Sequence, residues 1–305
     1  MSDTISSLQR QIRSAGDLQS VVRTMKALAA SSIGQYEHSV HALADYWRTV
    51  ELGLSVCLRQ GGRSAESRRP PNSKCSGVTG AIVFGSDQGL VGQFNDIIAD
   101  YAIKTLAALP GRPQVWAVGE RVHARLADAG LTMAGCFSVP SSVKAITPLI
   151  AQIQIQSEAQ LARLGCEEAF LFHNRPQAGS LYEPVSQRLL PLDEIWQKEL
   201  TQVPWPTKIL PEVLHDLPAT LSSLIREYLF ISLFRACAES LASENASRLA
   251  AMQRAEKNID DLLERLHGSY HRLRQSSIDE ELFDVVSGYE ALEKDGKNGH
   301  AAAMF

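Results

Sequence analysis

The apolar residues in the last quarter of the chain recur at the spacing of a helical seam. Intervals of four and three residues separate the members of this seam, which are Ile259, Leu263, Leu266, Tyr270 and Leu273. This heptad spacing is typical of a coiled coil and predicts a helix over residues 217–292. At about 1.5 Å per residue, that helix would be about 110 Å long. A compact domain of 305 residues has no interior of that length, so we expect the helix to leave the globule and to need a partner.

A second seam lies at the other end of the chain. Apolar residues recur at helical spacing throughout residues 4–59, which predicts a helix of about 80 Å. Gly16 and Gly34 are weak points in this helix, and we expect a bend or short break near Gly16. Two seams of similar reach predict that the terminal helices pair with each other as an antiparallel coiled coil.

The middle of the chain alternates short apolar runs with helical patterns. Strands are expected at 81–84, 114–118, 168–173 and 184–190, and helices at 94–109, 120–129 and 141–164. Such alternation is typical of a three-layer α/β domain with a largely parallel sheet. A segment with four prolines, 203–218, reads as an extended connection into the last helix.

These patterns divide the chain into five segments. Residues 60–78 are rich in Gly, Ser, Arg and Pro and read as a flexible linker, whose Arg63, Arg68 and Arg69 are expected to be solvated. Residues 293–305 read as a disordered tail. The predicted segments are the N-terminal coiled-coil helix 1–59, the linker 60–78, the α/β domain 79–216, the C-terminal coiled-coil helix 217–292 and the tail 293–305.

Composition narrows the class of protein. The net charge of -4 gives no broad basic field for nucleic acid or anionic lipid. The five cysteines are odd in number and never spaced as CxxC, which favours reduced thiols. No apolar run is long enough to cross a bilayer, and the N-terminus lacks the apolar segment of a signal peptide. We therefore expect a soluble chain inside the cell.

The sequence GSDQGLVGQFN, residues 85–95, comes directly after a predicted strand and before a predicted helix. Loops that bind phosphate occupy this position, because helix N-terminal amides point at anions. The sequence matches neither GxGxxG nor a Walker loop. We therefore interpret it as a tight structural turn that depends on Gly85, Asp87, Gly89 and Gly92, with nucleotide binding as the alternative.

Two histidine pairs have a spacing at which both side chains of a pair could coordinate one metal ion. His267 and His271 lie one helical turn apart, and so do His38 and His41. Neither pair has a third ligand nearby in the sequence, and HExxH is absent, so we expect solvated histidines and no metal site. No paired carboxylates or activated nucleophile emerge either. The residues alone therefore indicate a mechanical or scaffolding protein without catalytic residues or a cofactor.

Three blocks carry a resemblance to a known family. Residues 232–266 and 273–292 closely resemble the C-terminal helix of the gamma subunit of F-type ATP synthases. Residues 85–95 resemble that family's GSDxGLxGxxN turn, and SVVRTMKALAAS, residues 20–31, is similar to its N-terminal helix motif. The blocks follow the family's order, so the resemblance covers nearly the whole chain.

The resemblance implies a rotor whose coiled coil turns inside a hexamer of alpha and beta subunits. Its α/β foot would dock on the epsilon subunit and the membrane c-ring, at the cytoplasmic face of the bacterial inner membrane. ATP would be made or hydrolysed on the beta subunits, not on this chain. By resemblance, contacts that couple rotation to the beta subunits fall at Met25, Arg248, Arg274 and Gln275.

The chain departs from the family pattern at several positions. The turn has Gln88, Val91 and Gln93 where many bacterial gamma subunits have Arg, Cys and Gly, while Ala27 and Asp279 replace a usual Met and Thr. These departures resemble a divergent branch such as the sodium-translocating synthases, so the coupling ion, proton or sodium, stays open. A non-rotating coiled-coil adaptor with an α/β head is the alternative function.

Overall fold

The structure is a computed structural model that describes residues 4–60, 77–109, 111–164, 168–177, 180–192, 194–209, 211–213 and 216–301. It contains two compact units, one made of Met1–Lys26 with Met252–Phe305 and the other of Ala27–Ala251. The elements in chain order are α1 (Ile5–Ala42), α2 (Ala44–Gln60), β1 (Val78–Phe84), α3 (Phe94–Ala107), β2 (Arg112–Val118), α4 (Glu120–Asp128), β3 (Thr132–Phe137), α5 (Val143–Leu164), β4 (Glu168–Gln177), β5 (Ser180–Leu190), α6 (Glu194–Gln202) and α7 (Leu217–Ala301).

The long terminal helices are confirmed, whereas a short break near Gly16 is wrong and a bend there stays a prediction. Helix α1 runs unbroken through Gly16 and Gly34, and the interruption falls at Leu43 instead. A single glycine costs a helix only about 1 kcal/mol relative to alanine, which a long packed helix tolerates. The backbone bond from Trp47 N to Leu43 O, 2.8 Å long, continues the ladder into α2.

Helix α7 is longer than the sequence predicts. It continues past Leu292 to Ala301, whereas the sequence predicts disorder from residue 293. Adding residues to an existing helix avoids the cost of nucleation, so a weak helix-forming segment can extend a strong one. The predicted linker with Arg63, Arg68 and Arg69 lies outside the described residues, apart from its two ends.

The Ala27–Ala251 unit contains a five-stranded sheet in the order β3-β2-β1-β4-β5. Its pairs β1–β2, β1–β4 and β2–β3 are parallel, while β4–β5 is antiparallel. The step from Gln177 to Ser180 is too short for a parallel crossover and requires a hairpin. The largely parallel sheet is thus confirmed. Strand β3 was not predicted, because its sequence TMAGCF is short and lacks a strong apolar run.

Helices cover both faces of the sheet, which confirms the three-layer α/β architecture. On one face, α5 and α7 pack against β1 and β2 in a core that includes Phe84, Trp116, Ile150 and Leu241. On the other face, α3 and α4 bury Ile98 and Leu126 against Val83 and Val115. Alternate residues of each strand therefore serve opposite layers.

Helix α6 is a second element that the sequence did not predict. Its Trp196 ring lies 5.2 Å from the ring of Tyr228 on α7, and Trp47 of α2 lies 5.0 Å from the same tyrosine. The Arg59 guanidinium donates to the carbonyls of Thr201 and Val203 at the end of α6. These contacts hold a nine-residue helix that is too short to be stable alone.

None of the helices in the described part of the chain is long and apolar enough to cross a membrane.

Candidate functional site

The terminal helices pair antiparallel in the unit Met1–Lys26 with Met252–Phe305. Near the start of α1, Gln9 Nε2 donates a 3.0 Å hydrogen bond to the hydroxyl of Tyr270. Further along α1, Gln19 donates to the carboxylate of Asp260. As residue numbers rise on one helix they fall on the other, so the contacts report an antiparallel pair.

The predicted seam is the partly buried face of α7 in this unit. All five of its members are partly buried, most of the residues between them are exposed, and α1 contributes the buried Leu8 and Ala15. The seam members are Ile259, Leu263, Leu266, Tyr270 and Leu273. The heptad pattern thus marks the face that the two helices share.

Glu256 on α7 forms ion pairs with two basic residues of α1. Its carboxylate lies 2.5 Å from Lys26 Nζ and 2.9 Å from Arg23 Nε. The hydrogen bond from Lys26, followed by that from Arg23, lowers the pKa of Glu256 from its ordinary value. The carboxylate is therefore ionised at neutral pH and links α7 to two positions on α1.

Large apolar side chains of both helices remain exposed. On α1 these are Leu18, Val21 and Leu28, each more than half exposed. The end of α7 exposes six more, namely Ile278, Leu282, Phe283, Val285, Val286 and Tyr289. Exposed apolar side chains that cluster in this way are typical of surfaces that bind a partner.

The four residues assigned to coupling by resemblance lie in different settings. Met25 is half-buried on α1, and Arg274 and Gln275 are exposed neighbours on α7. Arg248, in the unit Ala27–Ala251, is half-buried, and its Nη2 lies 2.6 Å from Glu244. Burial raises the pKa of the Glu244 carboxyl, although the nearby Arg248 partly offsets this shift. The structure therefore places Arg274 and Gln275 side by side, while Arg248 is held by its own helix.

The turn at residues 85–95 is tightly built around its glycines. A Cβ on Gly85 would lie 2.4 Å from the side chain of Val122, so only glycine fits there without displacement of α4. Gly92 has a φ of 58° and Leu90 a φ of 63°, in the left-handed region that a leucine rarely adopts. Gly89 meets only the end of the Arg121 side chain, at 3.8 Å. Gly85 and Gly92 thus have steric reasons to be glycine, and Gly89 has none.

Asp87 binds backbone amides from two other loops. Its Oδ1 accepts from the amide of Glu120, at the start of α4, and its Oδ2 accepts from the amide of Val139, at 3.0 and 2.8 Å. The carboxylate therefore caps a helix that lacks a side-chain cap of its own. Asp87 therefore has a structural role, since it joins the turn to the start of α4 and to the segment after β3.

The turn also contacts α7. Ser247 Oγ donates a 2.5 Å hydrogen bond to the carbonyl of Val91, and both residues are buried. The turn is therefore fixed to the long helix as well as to the sheet.

Helix α7 also carries a buried polar group that the sequence patterns do not predict. Glu239 accepts from His173 Nε2 of β4 at 2.8 Å and from Arg235 Nε at 2.7 Å. Burial opposes ionisation of Glu239, but the hydrogen bonds from His173 and Arg235 outweigh it and lower the pKa of the carboxyl. The signal available in the sequence is a pair of charged residues, Arg235 and Glu239, one turn apart within the mostly apolar stretch 228–243.

Two histidines of α7 form a stacked pair on the helix surface. The ring centroids of His267 and His271 lie 6.4 Å apart. Among the described residues, no group of three or more His, Cys, Asp or Glu side chains is placed to hold a metal ion.

Comparison with known proteins gives one consistent result. A sequence model of the ATP synthase family matches residues 4–292. The ATP synthase gamma chain of Nitrosomonas europaea is 25% identical over 300 residues, which cover 93% of this chain and 98% of that protein. The gamma chain of a Picosynechococcus species is 28% identical over 319 residues, with 93% and 98% coverage.

A solved structure shares the fold. A chain from the rotor of the Euglena gracilis mitochondrial ATP synthase, in rotational state 1, superimposes with a TM-score of 0.60 at 15% identity. The match covers 90% of this chain and 98% of that one. With the paired terminal helices, the α/β domain and the family match over nearly the whole sequence, the chain belongs to the ATP synthase gamma family.

Proposed function

We propose that this chain is the central rotor subunit of a rotary ATP synthase. It passes torque between the membrane c-ring and the catalytic alpha/beta hexamer, and so couples ion translocation to ATP synthesis or hydrolysis. The observation that carries the proposal is the antiparallel pair of α1 and α7, linked by Glu256, whose exposed apolar side chains need a partner. The gamma-chain relative and the similar chain of the Euglena rotor support it.

In this proposal each segment has a mechanical role. Residues 1–59 and 217–292 form the shaft, 79–216 form the α/β foot, and 60–78 join them. The foot binds the epsilon subunit and the c-ring, and the shaft contacts the alpha/beta hexamer. An asymmetric shaft that turns inside a ring of bistable subunits changes each of them in sequence.

The chemistry belongs to the partner subunits in this proposal. ATP is made or hydrolysed on the beta subunits, and this chain biases their conformations through contacts at Met25, Arg248, Arg274 and Gln275. The turn that contains Gly85, Asp87, Gly89 and Gly92 has a structural role as a whole and binds no nucleotide. The complex places the chain peripherally at the cytoplasmic face of the bacterial inner membrane.

The decisive experiment is co-expression with the cognate alpha and beta subunits, followed by purification and an ATPase assay. The rotor function predicts a complex with one copy of this chain for every three beta subunits and hydrolysis that depends on the chain. Stable dimers of this chain that do not join the alpha and beta subunits would contradict the rotor and favour a non-rotating adaptor.

The coupling ion is tested in the membrane-bound complex. ATP-driven ion uptake into vesicles is measured with sodium present and with sodium absent. Ion uptake that requires sodium would identify sodium as the coupling ion. Proton uptake in the absence of sodium would identify the proton as the coupling ion.

A further inference from the structure

A buried polar stripe on α7 faces the α/β domain within the unit Ala27–Ala251. Arg235, Glu239, Ser243 and Ser247 follow one another at intervals of four residues, so they share one ridge of the helix. The last three are buried, with exposed fractions of 6%, 0% and 4%. This ridge runs beside an apolar face of the same helix that packs on the sheet.

Each buried member of the stripe binds a different point of the α/β domain. The Glu239 carboxylate binds the His173 side chain at 2.8 Å, and Ser243 Oγ donates to the carbonyl of Asn174 at 3.1 Å. Ser247 Oγ donates to the carbonyl of Val91 in the turn after β1. Three successive helical turns of α7 are thus hydrogen-bonded to the α/β domain. Two of the bonds go to adjacent residues of β4, and the third goes to the loop at residues 85–95.

The Glu239–His173 contact is the strongest member of the stripe, since it joins two buried ionisable side chains. His173 is 5% exposed, and within the described residues its Nδ1 has no hydrogen-bond partner. The ring therefore binds Glu239 through Nε2 alone. On the other side of the carboxylate, Arg235 donates at 2.7 Å from a half-exposed position.

Stability alone does not account for this contact. Burial of charged groups is costly, and well-packed apolar side chains of similar size are often as stabilising as a buried ion pair. Apolar contacts are non-directional, so their energy depends less on small displacements than the energy of a hydrogen bond does. A hydrogen bond weakens steeply with distance and angle, so it resists such displacements. What the polar contact adds is a fixed position of α7 on the sheet.

Resting on the rotor function proposed above, we propose that Glu239, bound between His173 and Arg235, is a positioning residue that carries load between the α/β domain and α7. Torque applied to the α/β domain reaches α7 through the contacts between them. The stripe holds the register of the helix against β4 while that load acts. Without it, α7 shifts on the sheet under load and part of each rotation is lost.

The test uses the complete ATP synthase in vesicles and the paired substitution His173→Leu with Glu239→Met. This replaces the polar contact with apolar side chains of similar size, so the variant is expected to assemble at parental yield. Ions transported per ATP hydrolysed are measured at rising opposing ion gradients. We expect the ratio to equal the parental one without a gradient and to fall about fivefold or more against a large gradient, the scale of coupling between linked sites.

A matched control replaces an ion pair of the same domain that does not involve α7. Arg175 and Glu183 join β4 to β5 and are more exposed, so Arg175→Leu with Glu183→Met is expected to leave the ratio unchanged at every gradient. A ratio in the His173/Glu239 variant that matches the parental ratio at every gradient would overturn the proposal.

A second variant covers the case in which the paired substitution prevents assembly. Glu239→Gln keeps the size of the side chain, but it replaces the charge-assisted hydrogen bond to His173 on β4 with a weaker neutral one. We expect the complex to form and the transport ratio against a gradient to fall, by less than in the double variant. Unchanged transport by Glu239→Gln would then reject the proposal. If the parental chain itself fails to support ATP-driven transport, it is the rotor function that fails.

Discussion

Lys26 and Glu256 lie 230 positions apart in the sequence, and their charged groups lie 2.5 Å apart in the structure. Arg23 binds the same carboxylate one turn earlier on α1. The pair fixes the register of the two terminal helices, because the apolar seam alone could slide by a heptad with similar burial. The ion pair therefore helps to fix the register of the two helices, while apolar contact drives their association.

The first prediction is that Glu256→Gln lowers the stability of the chain in a pH-dependent way. The pKa of Glu256 is lower in the folded chain than its ordinary value. A depressed acid pKa gives stability that is present above the unfolded pKa and is lost as pH falls through the folded pKa. Chemical unfolding should therefore show a less stable variant near pH 7 and a smaller difference from the parent by about pH 4.

The control for this prediction is Glu264→Gln on the same helix. Glu264 is exposed and, in the described part of the chain, has no ion pair. Its substitution should change stability by less than about 0.5 kcal/mol at either pH. A loss in Glu256→Gln that is equal at both pH values would contradict the assigned role of the ion pair.

The elements that local patterns specify were predicted from the sequence. The terminal seam repeats every seven residues, and the apolar runs of β1, β2 and β4 are bounded by turn residues, so both signals lie within short windows. The family expected from residues 20–31, 85–95 and 232–292 is likewise confirmed by the match over residues 4–292. Periodicity and a specific motif are sufficient for the fold class and the family, but not for every element of the fold.

Features that depend on distant residues were not predicted. Helix α6 forms because Trp196 and Leu200 pack on α2 and α7, which a short polar segment between prolines does not indicate. The Glu239–His173 contact joins residues 66 positions apart. The coupling residues came from resemblance, and they stay predictions because their partners belong to other chains.

The second prediction concerns Asp87, whose two oxygens accept from the amides of Glu120 and Val139. In Asp87→Asn an NH2 group replaces one carboxylate oxygen. One of the two backbone N–H groups then faces a hydrogen-bond donor and loses its acceptor. We expect a loss of about 1–3 kcal/mol in the free energy of unfolding, the cost of an unsatisfied backbone group. Denaturant titration of the purified chain measures it.

The matched control is Asp96→Asn, in the helix that follows the turn. Asp96 lies 3.4 Å from Arg125, and both side chains are half-exposed. An exposed pair of this kind contributes about 0–1 kcal/mol. Equal losses from the two substitutions would show that Asp87 contributes only a surface charge.

The third prediction separates a structural turn from a phosphate-binding loop. In Gly85→Ala the new methyl group would lie 2.4 Å from Val122 and 2.8 Å from Asn95 Oδ1, so we expect a loss of about 1–3 kcal/mol by overpacking. In Gly89→Ala the nearest atom lies 3.8 Å away, and stability should change by less than about 0.5 kcal/mol. Thermal unfolding compares the two variants.

Ligand binding completes this comparison. A structural turn predicts that the parental chain binds neither ATP nor inorganic phosphate in a calorimetric titration. A phosphate-binding loop predicts measurable binding that Gly89→Ala removes without unfolding the chain, and that outcome would favour the nucleotide-binding alternative.

The last prediction concerns Met25, which is half-buried on α1 and is assigned by resemblance to contacts with the beta subunits. Met25→Lys places an ammonium group where an apolar, adaptable side chain meets the surrounding ring. We expect the complex to assemble at parental yield, because the partly exposed position tolerates a lysine stem. The charge weakens the coupling between the beta subunits and the shaft, so part of the ATP is hydrolysed without productive rotation. Ions transported per ATP hydrolysed should therefore fall about fivefold or more.

Thr24→Lys is the matched control, since it adds the same charge at the neighbouring exposed position. It should leave the transport ratio at the parental value, because it lies on a different face of α1. If both lysines lower the ratio equally, the cause is added charge on the shaft. That result would contradict a specific contact between Met25 and the beta subunits. If neither lowers it, Met25 does not contact a part of the hexamer that responds to rotation.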